Sequence, residues 1–245
     1  MADPQNTPPA VSVVAPVYDE EGACQALARE IAAAFAGRDF EIVFVDDASR
    51  DGTRAALSAL KTEIPQLRLL SHRANAGQSR AIRTGVLAAR APIVLTLDGD
   101  GQNDPGDGPR LVDALSAGPP QLALVGGERV KRQDSQAKKF ASWFGNGVRK
   151  RLLRDAANDT GCGLKAFRRD AFLRLPYFDH IHRYLPALMI REGYEVRFLP
   201  VNHRHRATGR SKYTNLGRLW ASLSDLLGVM WLQSRARDPA GVDET

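Results

Sequence analysis

The sequence predicts an α/β fold with a mostly parallel central sheet and helices on both of its faces. Short, uncharged, β-rich runs, which are typical of buried strands, alternate with segments of helical periodicity. A strand–helix order is kept through the first half of the chain, and neighbouring parallel strands need such crossover helices. The charged fraction of 25% and hydrophobic fraction of 43% are those of a globular domain, so one large core is expected.

The predicted elements run almost from one end of the chain to the other. Strands are predicted at 11–15, 41–45, 67–71, 93–97, 122–126 and 196–201, and a turn over 159–169 is predicted to lead into another. Helices are predicted at 26–35, 54–62, 107–115, 185–191 and 215–235, with one opening at 75–77 and one or two more in 131–154. Residues 11–233 are expected to form a single domain, between a Pro-rich disordered leader at 1–10 and a polar tail at 234–245.

Charge and cysteine content restrict the partners and the compartment. The net charge is +6 and the sequence pI is about 9.6, which favours an anionic partner: a phosphate, a nucleic acid or an acidic membrane surface. Cys24 and Cys162 have neither metal-ligand spacing nor a disulfide framework, as expected for a reducing cytoplasm. No apolar stretch reaches the roughly 18 residues of a membrane-spanning helix. We therefore expect a soluble or membrane-peripheral protein.

Acidic and aromatic polar residues follow three of the predicted strands. Asp98 and Asp100 come directly after strand 93–97, while Tyr18 and Glu20 follow the first strand and Asp47 the second. Ligands of open α/β sheets bind at the carboxyl ends of strands, so these side chains are predicted to share one crevice. Paired carboxylates suit Mg²⁺ or Mn²⁺ held together with substrate phosphates. The alternative is an Asp/Gly turn that only ends a strand.

Four motifs occur in order in the first half of the chain: Pro16-x-Tyr18-Asp-Glu20, Val45-Asp46-Asp47-x-Ser49-x-Asp51-Gly52-Thr53, Asn75-x-Gly77 and Asp98-x-Asp100-x-Gln102. This order resembles that of family-2 glycosyltransferases. Two later motifs are Asp159-Thr-Gly-Cys-Gly-Leu-Lys-Ala-Phe-Arg-Arg and Arg206-x-x-Gly209-x-Ser211-Lys212-Tyr213. They are similar to motifs of the dolichol-phosphate mannose synthase-like branch, which uses polyprenyl phosphates. The resemblance covers about residues 11–226.

The resemblance implies a Rossmann-like nucleotide-sugar-binding domain of the GT-A type and a set of site residues. Asp98, Asp100 and Gln102 would hold Mg²⁺ or Mn²⁺, and Asp159 is the residue to nominate if a general base is used. The implied nucleotide-sugar site comprises Pro16, Tyr18, Glu20, Val45, Asp47, Leu97 and Gly99. The implied phosphate and acceptor site comprises Arg129, Lys138, Ser142, Arg206 and Lys212. The chain departs from the family at Lys138, where relatives more often have Arg, and at Glu128, where Ser is common. An Asx-turn before Gly161 is the alternative role for Asp159.

The implied activity is inverting transfer of a hexose, with mannose favoured, from a GDP- or UDP-linked sugar to undecaprenyl or dolichyl phosphate at a membrane surface. The acceptor phosphate is already anionic, so the many Lys and Arg residues between 129 and 212 would position it. Glucose, N-acetylhexosamine or uronic acid donors and a non-lipid acceptor remain alternatives. Two further alternatives are a catalytically silent nucleotide-sugar-binding protein and a nucleic-acid-binding module. The sequence has no recognised DNA or RNA motif, so we expect no nucleic-acid partner.

Two segments each allow a structural and a functional interpretation. The basic run at 131–154 is either a solvated helix face or part of the acceptor site. Helix 215–235 has one apolar face that includes Trp220 and Trp231, and it either packs in the core or lies at the lipid headgroups. On the second interpretation the protein is peripherally associated with the inner face of the cytoplasmic membrane.

Overall fold

A computed structural model describes residues 8–129, 147, 149–153, 155, 157, 159–204 and 215–237. Its seven strands form one sheet: β1 (Val11–Val17), β2 (Phe40–Asp46), β3 (Leu67–Ser71), β4 (Ile93–Thr96), β5 (Leu122–Arg129), β6 (Lys165–Arg168) and β7 (Glu195–Val201). The strand order is β3-β2-β1-β4-β6-β5-β7. Strand β6 runs antiparallel to both of its neighbours, and the other strand pairs are parallel. The predicted mostly parallel sheet is confirmed.

Helices cover both faces of this sheet, as predicted. They are α1 (Glu21–Ala34), α2 (Thr53–Ala59), α3 (Gln78–Ala88), α4 (Gly108–Ser116), α5 (Arg169–Arg174), α6 (Leu185–Arg191) and α7 (Asn215–Arg235). Helices α1, α2 and α4 contribute to one buried cluster, and α3, α5, α6 and α7 contribute to the other. Strand β1 supplies both clusters, because alternate residues of a strand point to opposite faces. All seven residues of β1 are buried, which explains its nearly uninterrupted apolar sequence.

The structure corrects several predicted boundaries. Helix α1 begins at Glu21 and not at residue 26, because the Glu20 carbonyl accepts hydrogen bonds from the N–H groups of Ala23 and Cys24. Helix α2 ends at Ala59 and not at residue 62. Helix α5 was not predicted; its six residues are too few to show a helical period. Strand β5 extends three residues beyond its predicted end, to Arg129, because β7 pairs with it over that length.

Helix α7 is partly buried and partly exposed, so the core-packing interpretation of segment 215–235 holds for one of its faces. Val229 is buried in the core, and Leu226, Met230 and Leu232 pack against the same cluster. In the part of the chain that the structure describes, every helix is too short or too polar to cross a bilayer. The side chain of Trp220 lies outside the described residues. Of the predicted leader and tail, residues 1–7 and 238–245 also lie outside them.

A buried carboxylate stabilises the edge of the sheet where β1 and β2 begin. The side chain of Glu41 is 1% exposed and accepts hydrogen bonds from Ser12 Oγ (2.6 Å), Arg68 Nη1 (2.6 Å) and the backbone N–H of Arg90 (2.7 Å). Burial alone would raise the pKa of Glu41, but these donors outweigh it and hold the pKa below its ordinary value. The stabilisation is therefore present at neutral pH and is lost as the pH falls through the folded-state pKa of Glu41.

We expect the Glu41→Ala variant to lose about 3 kcal/mol of free energy of unfolding at pH 7, because it leaves buried donors without an acceptor. Urea denaturation measures this loss. Asp113→Ala, which breaks the exposed ion pair with Arg38, is the matched control and should cost far less. Equal losses in the two variants would contradict the role of the buried network.

Candidate active site

Three neighbouring strands bring the predicted nucleotide-site residues to one edge of the sheet. Strand β1 lies between β2 and β4, and in the β1–β2 register Pro16 stands opposite Val45. Tyr18, Asp47 and Leu97 directly follow the last residues of β1, β2 and β4. A Cβ atom placed on Gly99 would lie 2.4 Å from the Pro16 carbonyl oxygen, so the loop after β4 packs directly on β1. The predicted convergence of these strand ends is therefore seen in the backbone.

The loops after β1 and β2 are joined by side-chain hydrogen bonds to backbone N–H groups. Ser49 Oγ accepts from Asp19 N (3.0 Å), Thr53 Oγ1 accepts from Glu20 N (2.9 Å), and Asp19 Oδ1 accepts from Arg50 N (2.7 Å). Asp19 and Ala48 have positive φ angles of 51° and 62°, which are uncommon for residues other than glycine. These contacts give the Asp-x-Ser-x-Asp-Gly-Thr pattern a structural purpose: it fixes the backbone that carries Tyr18 and Glu20.

Asp47 organises the loop that leads into α3. Its carboxylate accepts from the N–H groups of Ala76 (2.9 Å) and Gly77 (2.7 Å) and lies 2.6 Å from His72 Nδ1. The side chain of Asn75 donates to the Asp47 carbonyl (3.1 Å). Gly77 has a φ of 86°, a conformation in which a side chain would be strained, and this explains the glycine of the Asn75-x-Gly77 motif. Asp47 thus links the end of β2 to the beginning of α3.

The loop carrying Asp98 and Asp100 is held from within and from the end of β7. The Asn103 side chain accepts from Asp98 N (2.8 Å), and the Asp100 carboxylate accepts from Gln102 N (3.1 Å). Arg204 donates its backbone N–H to the Gln102 carbonyl (2.9 Å) and pairs with Asp104 (2.8 Å). The backbone of this acidic loop is therefore held in part by the segment between β7 and the Arg206–Lys212 motif.

Neutral groups and charges of both signs surround the Asp98 carboxylate. Gln78 Nε2 donates to Asp98 Oδ1 at 2.8 Å, and a Cβ atom on Gly163 would lie only 2.3 to 2.5 Å from the carboxylate atoms. Burial and Asp100 raise the pKa of Asp98 to about 6, while Lys165 and Arg129 oppose that shift. Lys165 is 4% exposed and donates to the Cys162 carbonyl; burial lowers its pKa, opposed by Cys162, Asp98 and Asp159. The site is therefore tightly packed and rich in closely spaced charges.

Arg129 and Asp159 form a bidentate ion pair. Arg129 Nε and Nη2 lie 2.5 and 2.7 Å from the two oxygens of Asp159, and both side chains are largely buried. Burial lowers the pKa of Arg129, but the Asp159 carboxylate and its hydrogen bonds outweigh this and raise it. The predicted phosphate ligand and the predicted base are thus in direct contact. A bidentate pair of this kind fixes the plane of the guanidinium group.

The donor set at the acidic loop suits a divalent cation that is completed by its substrate. The described residues contain no cluster of three or more His, Cys, Asp or Glu side chains that could hold a metal ion alone. Asp98 and Asp100 supply two carboxylates on one short loop. Mg²⁺ is typically bound by one or two carboxylates together with substrate phosphates, and these two side chains match that arrangement. Gln102 follows on the same loop.

Some predicted residues cannot be placed, and others were not predicted at all. Four predicted acceptor-site residues lie outside the described residues: Lys138, Ser142, Arg206 and Lys212. Most of segment 131–154 lies outside them as well. Four residues in or beside the acidic loop were given no role from the sequence: Gln78, Asn103, Gly163 and Lys165. Asn103 follows Gln102 in the acidic motif, and Gly163 and Lys165 belong to the Asp159 motif. These three residues therefore lie within motifs that the sequence analysis describes.

Comparison with known proteins establishes the family. The model of the family described as "Glycosyl transferase family 2" matches residues 12–175. The chain belongs to glycosyl transferase family 2. This family-2 chain is 32% identical over 227 residues to the dodecaprenyl-phosphate galacturonate synthase of Rhizobium johnstonii, covering 90% of the chain and 66% of the relative. It is 37% identical over 227 residues to the undecaprenyl-phosphate 4-deoxy-4-formamido-L-arabinose transferase of Pseudomonas aeruginosa, covering 90% and 65%. It thus spans just under two thirds of the length of these curated relatives.

Solved structures share the fold of this family-2 chain. The mannosyltransferase of Pyrobaculum calidifontis, in complex with GDP-mannose and Mn²⁺, superposes with a TM-score of 0.67 at 20% identity, covering 95% of the chain and 66% of that structure. Glucosyl-3-phosphoglycerate synthase of Mycobacterium tuberculosis, in complex with Mn²⁺, UDP and glucosyl-3-phosphoglycerate, superposes with a TM-score of 0.68 at 17% identity, covering 94% of the chain and 82% of that structure. The GT-A fold expected from the sequence is confirmed.

Proposed function

We propose that the protein transfers a sugar, with inversion, from a nucleoside-diphosphate sugar to a polyprenyl phosphate. The observation that carries this proposal is the Asp98–Asp100 loop, set at the ends of β1 and β4 beside the Arg129–Asp159 pair. Two carboxylates suit a cation-bound diphosphate, and a buried arginine nearby suits a second phosphate. Two relatives that match 90% of the chain are named for transfer to dodecaprenyl or undecaprenyl phosphate, which supports this acceptor.

In the proposed reaction an acceptor phosphate oxygen forms a bond to the anomeric carbon as the bond from that carbon to the diphosphate breaks. Asp98, Asp100 and Gln102 would hold Mg²⁺ or Mn²⁺, which when bound neutralises charge that develops on the leaving diphosphate. The nucleotide-sugar site would be lined by Pro16, Tyr18, Glu20, Val45, Asp47, Leu97 and Gly99. Their backbone is fixed by the contacts between the loops that follow β1, β2 and β4.

The residues on the acceptor side are proposed to act mainly by holding the acceptor phosphate in position. A phosphate monoester is ionised at neutral pH, so it needs cations to hold it and not a strong base. Arg129 would supply one of them, and Lys138, Ser142, Arg206 and Lys212 are proposed to supply the rest. The bidentate contact suggests that Asp159 orients Arg129, in addition to its predicted role as a base.

The sugar is the least constrained part of the proposal. Mannose was favoured by the resemblance, whereas the two sequence relatives are named for galacturonate and for 4-deoxy-4-formamido-L-arabinose. The structural neighbours carry GDP-mannose in one case and UDP in the other. Mannose therefore remains a prediction, and both nucleotides belong in the test.

The test is to incubate the protein with undecaprenyl phosphate, Mg²⁺ or Mn²⁺, and a panel of GDP- and UDP-linked sugars that includes mannose, glucose, N-acetylhexosamine, galacturonic acid and 4-formamido-arabinose. Mass spectrometry of the lipid fraction identifies the glycolipid. A product from at least one donor is expected. A product only with soluble acceptors would overturn the lipid acceptor, and donor hydrolysis or binding without any transfer would overturn the proposed activity.

We further propose that α7 attaches the protein to the inner face of the cytoplasmic membrane. The face of α7 opposite the core exposes Leu223 (47%), Leu227 (57%) and Trp231 (59%), which are spaced four residues apart and form one stripe. The core-packed face and the hydrogen bond from Gln233 Nε2 to the Leu153 carbonyl (2.9 Å) hold the helix against the domain. A tryptophan in such a stripe is typical of interfacial helices, and a polyprenyl acceptor lies in the bilayer.

We expect the Leu227→Glu/Trp231→Glu double variant to bind vesicles of phosphatidylethanolamine and phosphatidylglycerol at least about tenfold more weakly than the wild type, because it removes apolar area from the interface. Flotation through a sucrose gradient measures the bound fraction. Leu87→Glu, at another exposed leucine (53%) on α3, is the matched control and should float like the wild type. Equal flotation of the double variant and the wild type would rule out this helix as the attachment.

A further inference from the structure

Gln78, the first residue of α3, contacts the acidic loop although it belongs to a different strand–helix unit. Its Nε2 donates to Asp98 Oδ1 at 2.8 Å. The amide carries no charge, so it orients the carboxylate while leaving its negative charge available to a cation. A Cβ atom added to Gly163 would lie 2.3 to 2.5 Å from both oxygens and the carbon of this carboxylate, so the carboxylate packs closely against the glycine.

The backbone that presents Gln78 is anchored on both sides. The preceding residue, Gly77, donates its N–H to Asp47 (2.7 Å), the carboxylate at the end of β2. The following residue, Ser79, is fully buried, and its Oγ lies 2.7 Å from His182 Nδ1. Burial holds the pKa of His182 well below its ordinary value, so the ring is neutral at physiological pH. The backbone that carries Gln78 is therefore fixed on both sides, which keeps its amide within reach of Asp98.

We propose that Gln78 is a positioning residue for the divalent-cation site, holding the Asp98 carboxylate in the orientation that binds the metal. The inference rests on the proposed function, because it requires Asp98 to be a metal ligand. Removal of a group that hydrogen-bonds to a metal ligand typically lowers metal affinity or activity by about 10- to 100-fold. Gln78 touches the ligand and not the substrate, so its removal should weaken metal binding more than it lowers the rate at saturating metal.

The test is the Gln78→Met variant, which keeps the approximate length of the side chain and removes its N–H donor. Free Mn²⁺ is titrated by electron paramagnetic resonance with the full chain, without nucleotide and then with UDP and with GDP. The Kd for Mn²⁺ should rise about tenfold or more. In the transfer assay, most of the lost rate should return at saturating Mn²⁺. Gln25→Met is the matched control. Gln25 is a partly buried amide that donates to the Ala56 carbonyl on the α1–α2 side of the sheet. The Kd of Gln25→Met for Mn²⁺ should stay at the wild-type value.

Each outcome distinguishes this inference from the function on which it rests. A Mn²⁺ Kd within twofold of the wild type in Gln78→Met, with the wild type binding Mn²⁺, overturns the role of Gln78 and leaves the proposed function standing. A wild type that binds no Mn²⁺ under any of the three conditions overturns the inference and the proposed Mn²⁺ site together, while glycolipid formation separately decides whether the protein is a transferase. Thermal unfolding verifies that the variant is folded, and Gln78→Ala replaces it in the same titration if methionine is not accommodated.

Discussion

The Asp100→Ala variant is expected to lose roughly 1,000-fold or more of its transfer rate while it keeps its fold. Asp100 is one of the two carboxylates proposed to hold the cation against the donor diphosphate, and its loss would leave only Asp98 and the uncharged Gln102. Its side chain is partly exposed and lies on the loop that follows β4, outside both buried clusters. The thermal unfolding midpoint should therefore change little.

Initial rates of glycolipid formation across a Mn²⁺ titration measure this effect. Asp39→Ala, at an exposed aspartate before β2, is the control and should retain the wild-type rate. A variant that transfers sugar at an undiminished rate would remove Asp100 from the metal site. A rate loss accompanied by a large fall in thermal stability would instead indicate that Asp100 supports the loop.

The second large effect is expected from the smallest substitution, Gly163→Ala. Its Cβ atom would lie 2.3 to 2.5 Å from the carboxylate of Asp98, closer than non-bonded atoms can approach. The Asp98 side chain must then move, and it is already constrained by Gln78 and by its own backbone hydrogen bond to Asn103. Displacing a reacting group by about 1 Å typically costs about 100-fold in rate, and we expect a loss of that size here.

Gly228→Ala is the matched control, because nothing lies within 4 Å of the added methyl group. The Mn²⁺ affinity of Gly163→Ala should fall together with its rate, since the substitution acts on a metal ligand. A variant with the wild-type rate and Mn²⁺ affinity would show that Asp98 can move without consequence, and it would weaken the metal assignment.

Local patterns were enough to predict that several candidate site residues meet at one edge of the sheet. Pro16, Tyr18, Asp47 and Asp98 follow or end apolar strands, and the parallel order of β1, β2 and β4 follows from the crossover helices between them. The sheet edge where they meet could therefore be predicted before the structure was known. What the sequence could not provide was the side-chain partner of each group: Asp159 looked equally suitable as a base or as a turn residue, and its ion pair with Arg129 was not predicted.

The order of the strands in the second half of the sheet could not be predicted from local sequence patterns. Strand β6 has four residues, Lys165–Arg168, and nothing in them indicates that it inserts between β4 and β5 in the antiparallel direction. That insertion brings Lys165 and Gly163 next to Asp98, which lies some 65 residues earlier in the chain. Contacts of this kind depend on tertiary packing, and a periodicity carries no information about them.

The antiparallel pairing of β5 with β6 has a consequence for how such enzymes can diversify. Because the two strands are neighbours of opposite direction, β5 ends and β6 begins at the same edge of the sheet, where Gly127 N donates to the Leu164 carbonyl and Arg129 pairs with Asp159. The 35 residues from 130 to 164 thus leave and rejoin the sheet at one place beside the crevice. An excursion with fixed, adjacent ends can be lengthened, shortened or replaced in evolution without shifting any strand. Under the proposed function, exchange of the residues between 130 and the Asp159 motif would alter the acceptor side, while the strands and the contacts of Asp159 and Gly163 stay as they are.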